Sequence, residues 1–118
     1  MAKQVLIVDD DPDIREALQA VLELDGHVVT ALESGAAVLE LLRRCPFDLI
    51  LLDVMMPGID GLEVLRQVRR AEVAVPVYLL TAMGGVRHIA QALGAQGTIM
   101  KPWSVDELLA LVAQVPHG

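Results

Sequence analysis

Three consecutive aspartates, Asp9-Asp10-Asp11, close a short apolar run, Val5-Leu6-Ile7-Val8, near the start of a 118-residue chain. A further aspartate, Asp53, closes another, Leu49-Ile50-Leu51-Leu52. Thr81 ends the run Val75-Pro76-Val77-Tyr78-Leu79-Leu80, and Lys101 follows Gly97-Thr98-Ile99-Met100. Several carboxylates cannot share a small site fully ionised without a compensating cation. One remedy is a lysine. The other is a hard divalent ion held by oxygen alone, most naturally Mg²⁺. No Cys/His set with zinc spacing is present. A threonine hydroxyl can hydrogen-bond an oxyanion. An aspartate flanked by Mg²⁺, an ammonium and a hydroxyl suits phosphoryl acceptance. Carboxylates accept phosphoryl groups, and those donors neutralise the charge spread over the transferring group's oxygens. Each residue alone has a plainer reading: a solvated acidic loop, Asp11 as the cap of a helix opened by Pro12, a strand-end threonine, a surface lysine. Their joint placement at successive strand ends outweighs those readings.

Such a site exists only if the fold carries its parts to one place. The apolar runs at 5–8, 27–32, 49–52, 75–80 and 97–100 read as strands, several of them covered on both faces. Pro76 stands at the start of its run, where a missing N–H is tolerated. Between the runs lie helical patterns. Asp11-Pro12 starts the first, with Ile14, Leu18, Val21 and Leu22 on one face and Gly26 as its stop. Ser34 is the expected cap of a second, carrying Val38, Leu41 and Leu42 and stopping before Pro46. Asp60 or Gly61 opens a third, with Leu62, Leu65, Val68 and Arg69. A short fourth carries Val86, Ile89, Ala90 and Leu93. Ser104 and Glu107 match a capping box for the last, with Leu108, Leu109 and Val112 inward.

Five strand-helix units predict an α/β fold: a doubly wound five-stranded parallel sheet, (βα)5 and flavodoxin-like, with strand order 2-1-3-4-5. Ligands of such sheets bind beyond the carboxyl ends of the strands. With the first and third strands adjacent, Asp9, Asp10 and Asp53 converge there.

Composition narrows the function classes. Apolar residues make up 54% of the chain, which excludes a solvated disordered segment. A net charge of −7 argues against nonspecific binding to nucleic acid or to anionic membranes. The lone Cys45 cannot form an internal disulfide, which suits a reducing compartment. The apolar runs are too short to span a membrane, and no signal peptide is indicated. The expectation is one cytoplasmic domain over residues 1–118, with no direct nucleic-acid binding and no membrane association.

The strings Ile7-Val8-Asp9-Asp10-Asp11, Leu51-Leu52-Asp53-Val54-Met55-Met56-Pro57-Gly58, Leu80-Thr81-Ala82 and Lys101-Pro102-Trp103 resemble the receiver domain of two-component response regulators. The resemblance covers essentially the whole chain. It implies that Asp53 accepts a phosphoryl group from the phosphohistidine of a sensor histidine kinase or histidine phosphotransfer protein. It implies Mg²⁺ held by Asp9, Asp10, Asp53 and the backbone carbonyl of Met55, with Asp10 a direct ligand and Asp9 acting through water. Thr81 would move toward the phosphoryl oxygens, Lys101 would pair with them, and the Lys101-Pro102 bond would be cis. Such a chain is a switch that assists its own phosphorylation and dephosphorylation rather than a turnover enzyme, and it acts through contacts with a downstream protein. Many receivers dimerise through the fourth and fifth helices, so a homodimer is one expected assembly.

Three features depart from the family pattern. Thr98 stands where a tyrosine or phenylalanine is usual, which predicts a signal passed through Thr81 and the following loop without a ring flip. The stretch from Thr81 to Lys101 is slightly short and contains Gly84-Gly85, which predicts a reduced fourth helix. Met55 and Met83, two residues beyond Asp53 and Thr81, offer no acid or amide to orient a hydrolytic water. The phosphorylated state is therefore expected not to be unusually short-lived. His88 and Cys45 carry no sign of chemistry, and Trp103 reads as packing beside the site. Arg66, Arg69 and Arg70 read as a solvated basic face able to meet a partner's acids. Three rivals remain at this level. An aspartate-nucleophile phosphatase would need an acid at position 55. A flavin carrier would need a phosphate-cradling loop after the first strand. The third is the same fold used as a phosphorylation-independent interaction module.

Overall fold

Each apolar run becomes a strand and each amphipathic stretch a helix. The computed structural model describes residues 2–82 and 84–116. In chain order the elements are β1 (Gln4–Val8), α1 (Pro12–Leu24), β2 (Val28–Leu32), α2 (Val38–Arg44), β3 (Leu49–Asp53) and α3 (Gly61–Arg70). There follow β4 (Val77–Thr81), a 3₁₀ turn (Gly84–Val86), α4 (Arg87–Ala92), β5 (Gly97–Met100) and α5 (Val105–Gln114). The strands form one parallel sheet in the order β2-β1-β3-β4-β5, as the alternation of elements predicts. The register levels the strand ends: Val8 lies beside Leu52, Asp53 beside Leu80 and Thr81 beside Met100.

Alternate side chains of the sheet feed two apolar layers. Leu6, Val8, Ile50, Leu52, Val77 and Leu79 pack with Val38 of α2, Val64, Leu65 and Val68 of α3, and Ala90 of α4. Val5, Ile7, Leu49, Leu51, Leu80 and Ile99 pack with Leu18 and Leu22 of α1 and Leu108 and Val112 of α5. All five residues of β3, the middle strand, are buried, because helices cover both of its faces. Among the described residues, no helix is long and apolar enough to cross a membrane.

Helix ends follow the expected chemistry in three places. The carboxylates of Asp11 and Asp60 accept the N–H groups of Asp13 and Glu63, each at 2.9 Å, and Ser104 Oγ accepts that of Glu107 at 3.0 Å. Gly26, at φ +91°, turns the chain out of α1.

Ser34 does not cap the second helix. α2 begins only at Val38, with Ala37 at its cap position and no side-chain bond there. The preceding segment lies against α3, so closely that a Cβ on Gly35 would stand 2.3 Å from Val64 Cγ2. The chain thus passes α3 before the helix starts. Ile89 is half exposed rather than inward, since a helix of six residues turns only one narrow face, Ala90, to the core. The basic face on α3 is also smaller than its sequence suggests. The Arg69 guanidinium is spent on the carbonyls of Val73, Val75 and Gly94, and Arg66 pairs with Glu63 one turn away. Arg70 is left exposed.

Candidate functional site

Beyond the carboxyl ends of β1, β3, β4 and β5 lies a cavity of about 270 Å³. Asp9, Asp10, Asp53, Met55, Thr81 and Lys101, the residues singled out from the sequence, all line it, together with Asp11, Ile14 and Ala82. Met83 lies outside the described residues. Carboxylate oxygens of Asp9, Asp10 and Asp53 fall within 4.8 Å of one another. Asp9 is fully buried and Asp53 is 4% exposed, whereas Asp10 is open to solvent. Met55, 65% exposed, stands at the rim.

Lys101 faces the two buried acids, its Nζ 3.0 Å from Asp53 Oδ1 and 3.4 Å from Asp9 Oδ2. Its position is set by the sheet. Its backbone N–H donates to the Thr81 carbonyl at 2.9 Å, and the Lys101-Pro102 bond that follows is cis. Burial raises the Asp53 pKa above the ordinary carboxyl value. The Lys101 hydrogen bond opposes that rise, and the charges of Asp9 and Asp10 add to it. Burial alone would lower the Lys101 pKa, but its bond to Asp53 and the two acids outweigh it, so the ammonium is held above its usual value.

Three carboxylates against one ammonium leave two negative charges uncompensated. An oxygen-only donor set with that surplus fits a hard divalent cation of the Mg²⁺ type. The acids also carry different loads. Asp9 already accepts the Asp11 N–H through Oδ1, at 3.0 Å, and faces Lys101 through Oδ2. Asp10 and the second oxygen of Asp53 are better placed to meet an ion.

The raised Asp53 pKa fixes the sign of a stability effect. Folding disfavours the ionised form, so the fold loses stability as the pH rises from the unfolded carboxyl value, 3.8, through the higher folded one. In metal-free buffer, the wild-type melting point is expected to fall relative to that of Asp53→Asn as the pH rises from 3.8 toward neutrality. Thermal melts of both proteins in EDTA across that range check this, and a wild-type melting point that rises relative to the variant's would contradict it.

Two residues at this site escape a reading based on strand ends. Gly61, the first residue of α3, is pressed against the backbone of Asp53 and Val54. Arg15, in the opening turns of α1, donates from Nη1 to the Asp9 carbonyl at 2.8 Å. A cation there runs against the helix dipole, and that was the available sequence signal. Thr98, at the usual aromatic position, faces a separate cavity of about 250 Å³ with Gly84, Arg87, His88 and Met100.

Residues 5–113 match the family model described as the response regulator receiver domain. The chain belongs to the response regulator receiver family. This receiver domain is 42% identical over its whole length to the response regulator protein FleR of Pseudomonas aeruginosa, of which it spans 25%. It spans about half the length of other curated relatives, such as the response regulator MprA of Mycobacterium ulcerans, at 39% identity. Among solved structures, the response regulator TrrA of Thermotoga maritima, in complex with Mg²⁺-BeF, superposes with a TM-score of 0.86 at 35% identity. That match covers 95% of the receiver domain and 97% of TrrA.

Proposed function

We propose that this receiver domain accepts a phosphoryl group on Asp53 in a Mg²⁺-dependent reaction, from a phosphohistidine of a sensor histidine kinase or histidine phosphotransfer protein. The observation that carries the reading is the setting of Asp53. Its buried carboxylate is bonded by Lys101 at 3.0 Å, and oxygens of Asp9 and Asp10 lie within reach of the same small ion.

An Asp53 carboxylate oxygen forms the new bond to phosphorus as the P–N bond to the donor imidazole breaks, with the electron pair leaving on nitrogen. Asp10, Asp53 and the Met55 carbonyl would hold Mg²⁺, with Asp9 acting through water. When bound, the ion supplies positive charge toward the phosphoryl oxygens. Lys101 exchanges its contact with Asp53 for a phosphoryl oxygen, and the Thr81 hydroxyl donates to another. Added negative charge at the strand ends then biases the β4 and β5 ends and the segment between them, changing contacts with a downstream protein. The domain thus acts as a phosphoacceptor switch that assists its own phosphorylation and dephosphorylation. The Mg²⁺-BeF complex of TrrA supports the ion and the oxyanion geometry by likeness.

Incubation with acetyl phosphate and Mg²⁺ tests the reading. Intact mass should rise by ~80 Da, one phosphoryl group, in wild type and not in Asp53→Asn. Persistent modification of the variant would remove Asp53 as the acceptor.

A further inference from the structure

The loop that carries the acids is laced by hydrogen bonds, and one of them comes from a side chain that the proposed chemistry leaves unused. Asp9 N–H donates to the Leu32 carbonyl at 3.1 Å, and Asp11 N–H to Asp9 Oδ1 at 3.0 Å. Arg15 N–H donates to the Asp11 carbonyl at 3.0 Å, as the first turn of α1 requires. The Arg15 side chain then bends back, and its Nη1 donates to the Asp9 carbonyl at 2.8 Å. The half-buried guanidinium forms no ion pair among those the described residues make, although several carboxylates are near in sequence. It is directed at a backbone oxygen instead.

The peptide whose carbonyl Arg15 holds joins Asp9 to Asp10. Fixing that carbonyl fixes the peptide plane, and with it the Asp10 N and Cα from which the carboxylate is carried. Asp10 is the exposed member of the acid cluster and has the least packing to hold it.

We propose that Arg15 is a positioning residue for the divalent cation. It holds the Asp9-Asp10 peptide so that the Asp10 carboxylate is presented to the ion. The inference rests on the Mg²⁺ reading above and names a residue that reading does not include.

Two effects of Arg15 on the ion have opposite signs, so the direction of change is decisive. A guanidinium near the site repels a cation, and its removal would tighten binding if charge alone mattered. Its bond to the peptide aligns the ligands, and removal then weakens binding. Titration calorimetry with MgCl₂ on the 118-residue chain distinguishes them. Arg15→Ala is expected to bind Mg²⁺ about ten-fold more weakly, at the lower end of what losing a partner that orients a metal ligand costs. Arg15→Lys, which keeps a donor of nearly the same reach, is expected to recover most of the affinity. Arg70→Ala, an equal loss of charge on the exposed end of α3, is expected to leave it unchanged. Melts in EDTA show whether each variant is folded, and Arg15→Lys carries the test if Arg15→Ala is not. Equal or tighter Mg²⁺ binding by a folded Arg15→Ala would overturn the positioning role alone. Absence of Mg²⁺ binding by wild type would overturn the metal reading and this inference with it.

Discussion

Lys101→Met is expected to reduce phosphorylation by acetyl phosphate about 10²- to 10³-fold, the effect of removing one preorganised donor from a developing oxyanion. The ammonium bonds Asp53 at 3.0 Å and faces Asp9 at 3.4 Å; in the proposed reaction it would meet the charge developing on the phosphoryl group. Its loss also leaves two buried carboxylates facing each other. Removing one partner of a buried ionic pair costs about 3–5 kcal/mol, because the charge left behind keeps its desolvation penalty. The variant should therefore melt well below wild type in EDTA and regain more stability from Mg²⁺ than wild type does, since the ion becomes the remaining cation of the site. Rates from intact-mass time courses, with melts at several Mg²⁺ concentrations, check both statements. A Lys101→Met domain that is phosphorylated at the wild-type rate would show that the bond has no part in the reaction.

Gly61→Ala is expected to damage stability and phosphorylation together. An added Cβ would lie 2.2 Å from the Asp53 carbonyl oxygen and 2.9 Å from both the Asp53 carbonyl carbon and Val54 Cα. These are backbone atoms, so either α3 or the end of β3 must move. Overpacking of this kind costs about 1–3 kcal/mol, sometimes more. Alanine's greater helix propensity returns at most about 1 kcal/mol at an interior position. The clash therefore wins. Because the displaced atoms belong to Asp53, its carboxylate shifts relative to Lys101, and a misplacement of about 1 Å can cost 10²-fold in rate. Chemical denaturation and acetyl phosphate kinetics on the same preparation check the pair of effects. Wild-type stability in Gly61→Ala would mean that α3 slides freely on β3.

Both predictions concern the same strand end, yet their residues were not equally legible. Lys101 is readable because parallel strands bring their carboxyl ends to one edge, and a lysine there has acids for company. Gly61 reads in sequence only as a helix opening. Its closeness to Asp53 depends on how α3 returns across the sheet, which no local pattern encodes. Ser34 shows the same limit from the other side: it has the side chain of a good cap, but the helix starts only at Val38, after the chain has passed Val64 of α3. Arg69 looks like a solvated charge and instead ties three carbonyls together at the far end of α3 and α4. Lys3, an ordinary polar residue near the start of the chain, is buried with its ammonium on the Val112 carbonyl of α5.

Element order, the parallel sheet, three of the helix caps and the residue types at the strand ends are all legible in the sequence. Those depend on periodicity, on the few topologies open to strand-helix units, and on chemistry local to a few residues. Which charges are buried, and how they are paired, emerges only when the chain is folded. Asp9 and Asp53 share Lys101, Asp10 stays open to solvent, and Arg15 grips a backbone carbonyl rather than an acid. Burial and pairing follow from distances of a few ångströms between residues far apart in the chain. Those distances also set the elevated Asp53 pKa and the two uncompensated charges that suit the site to a divalent ion.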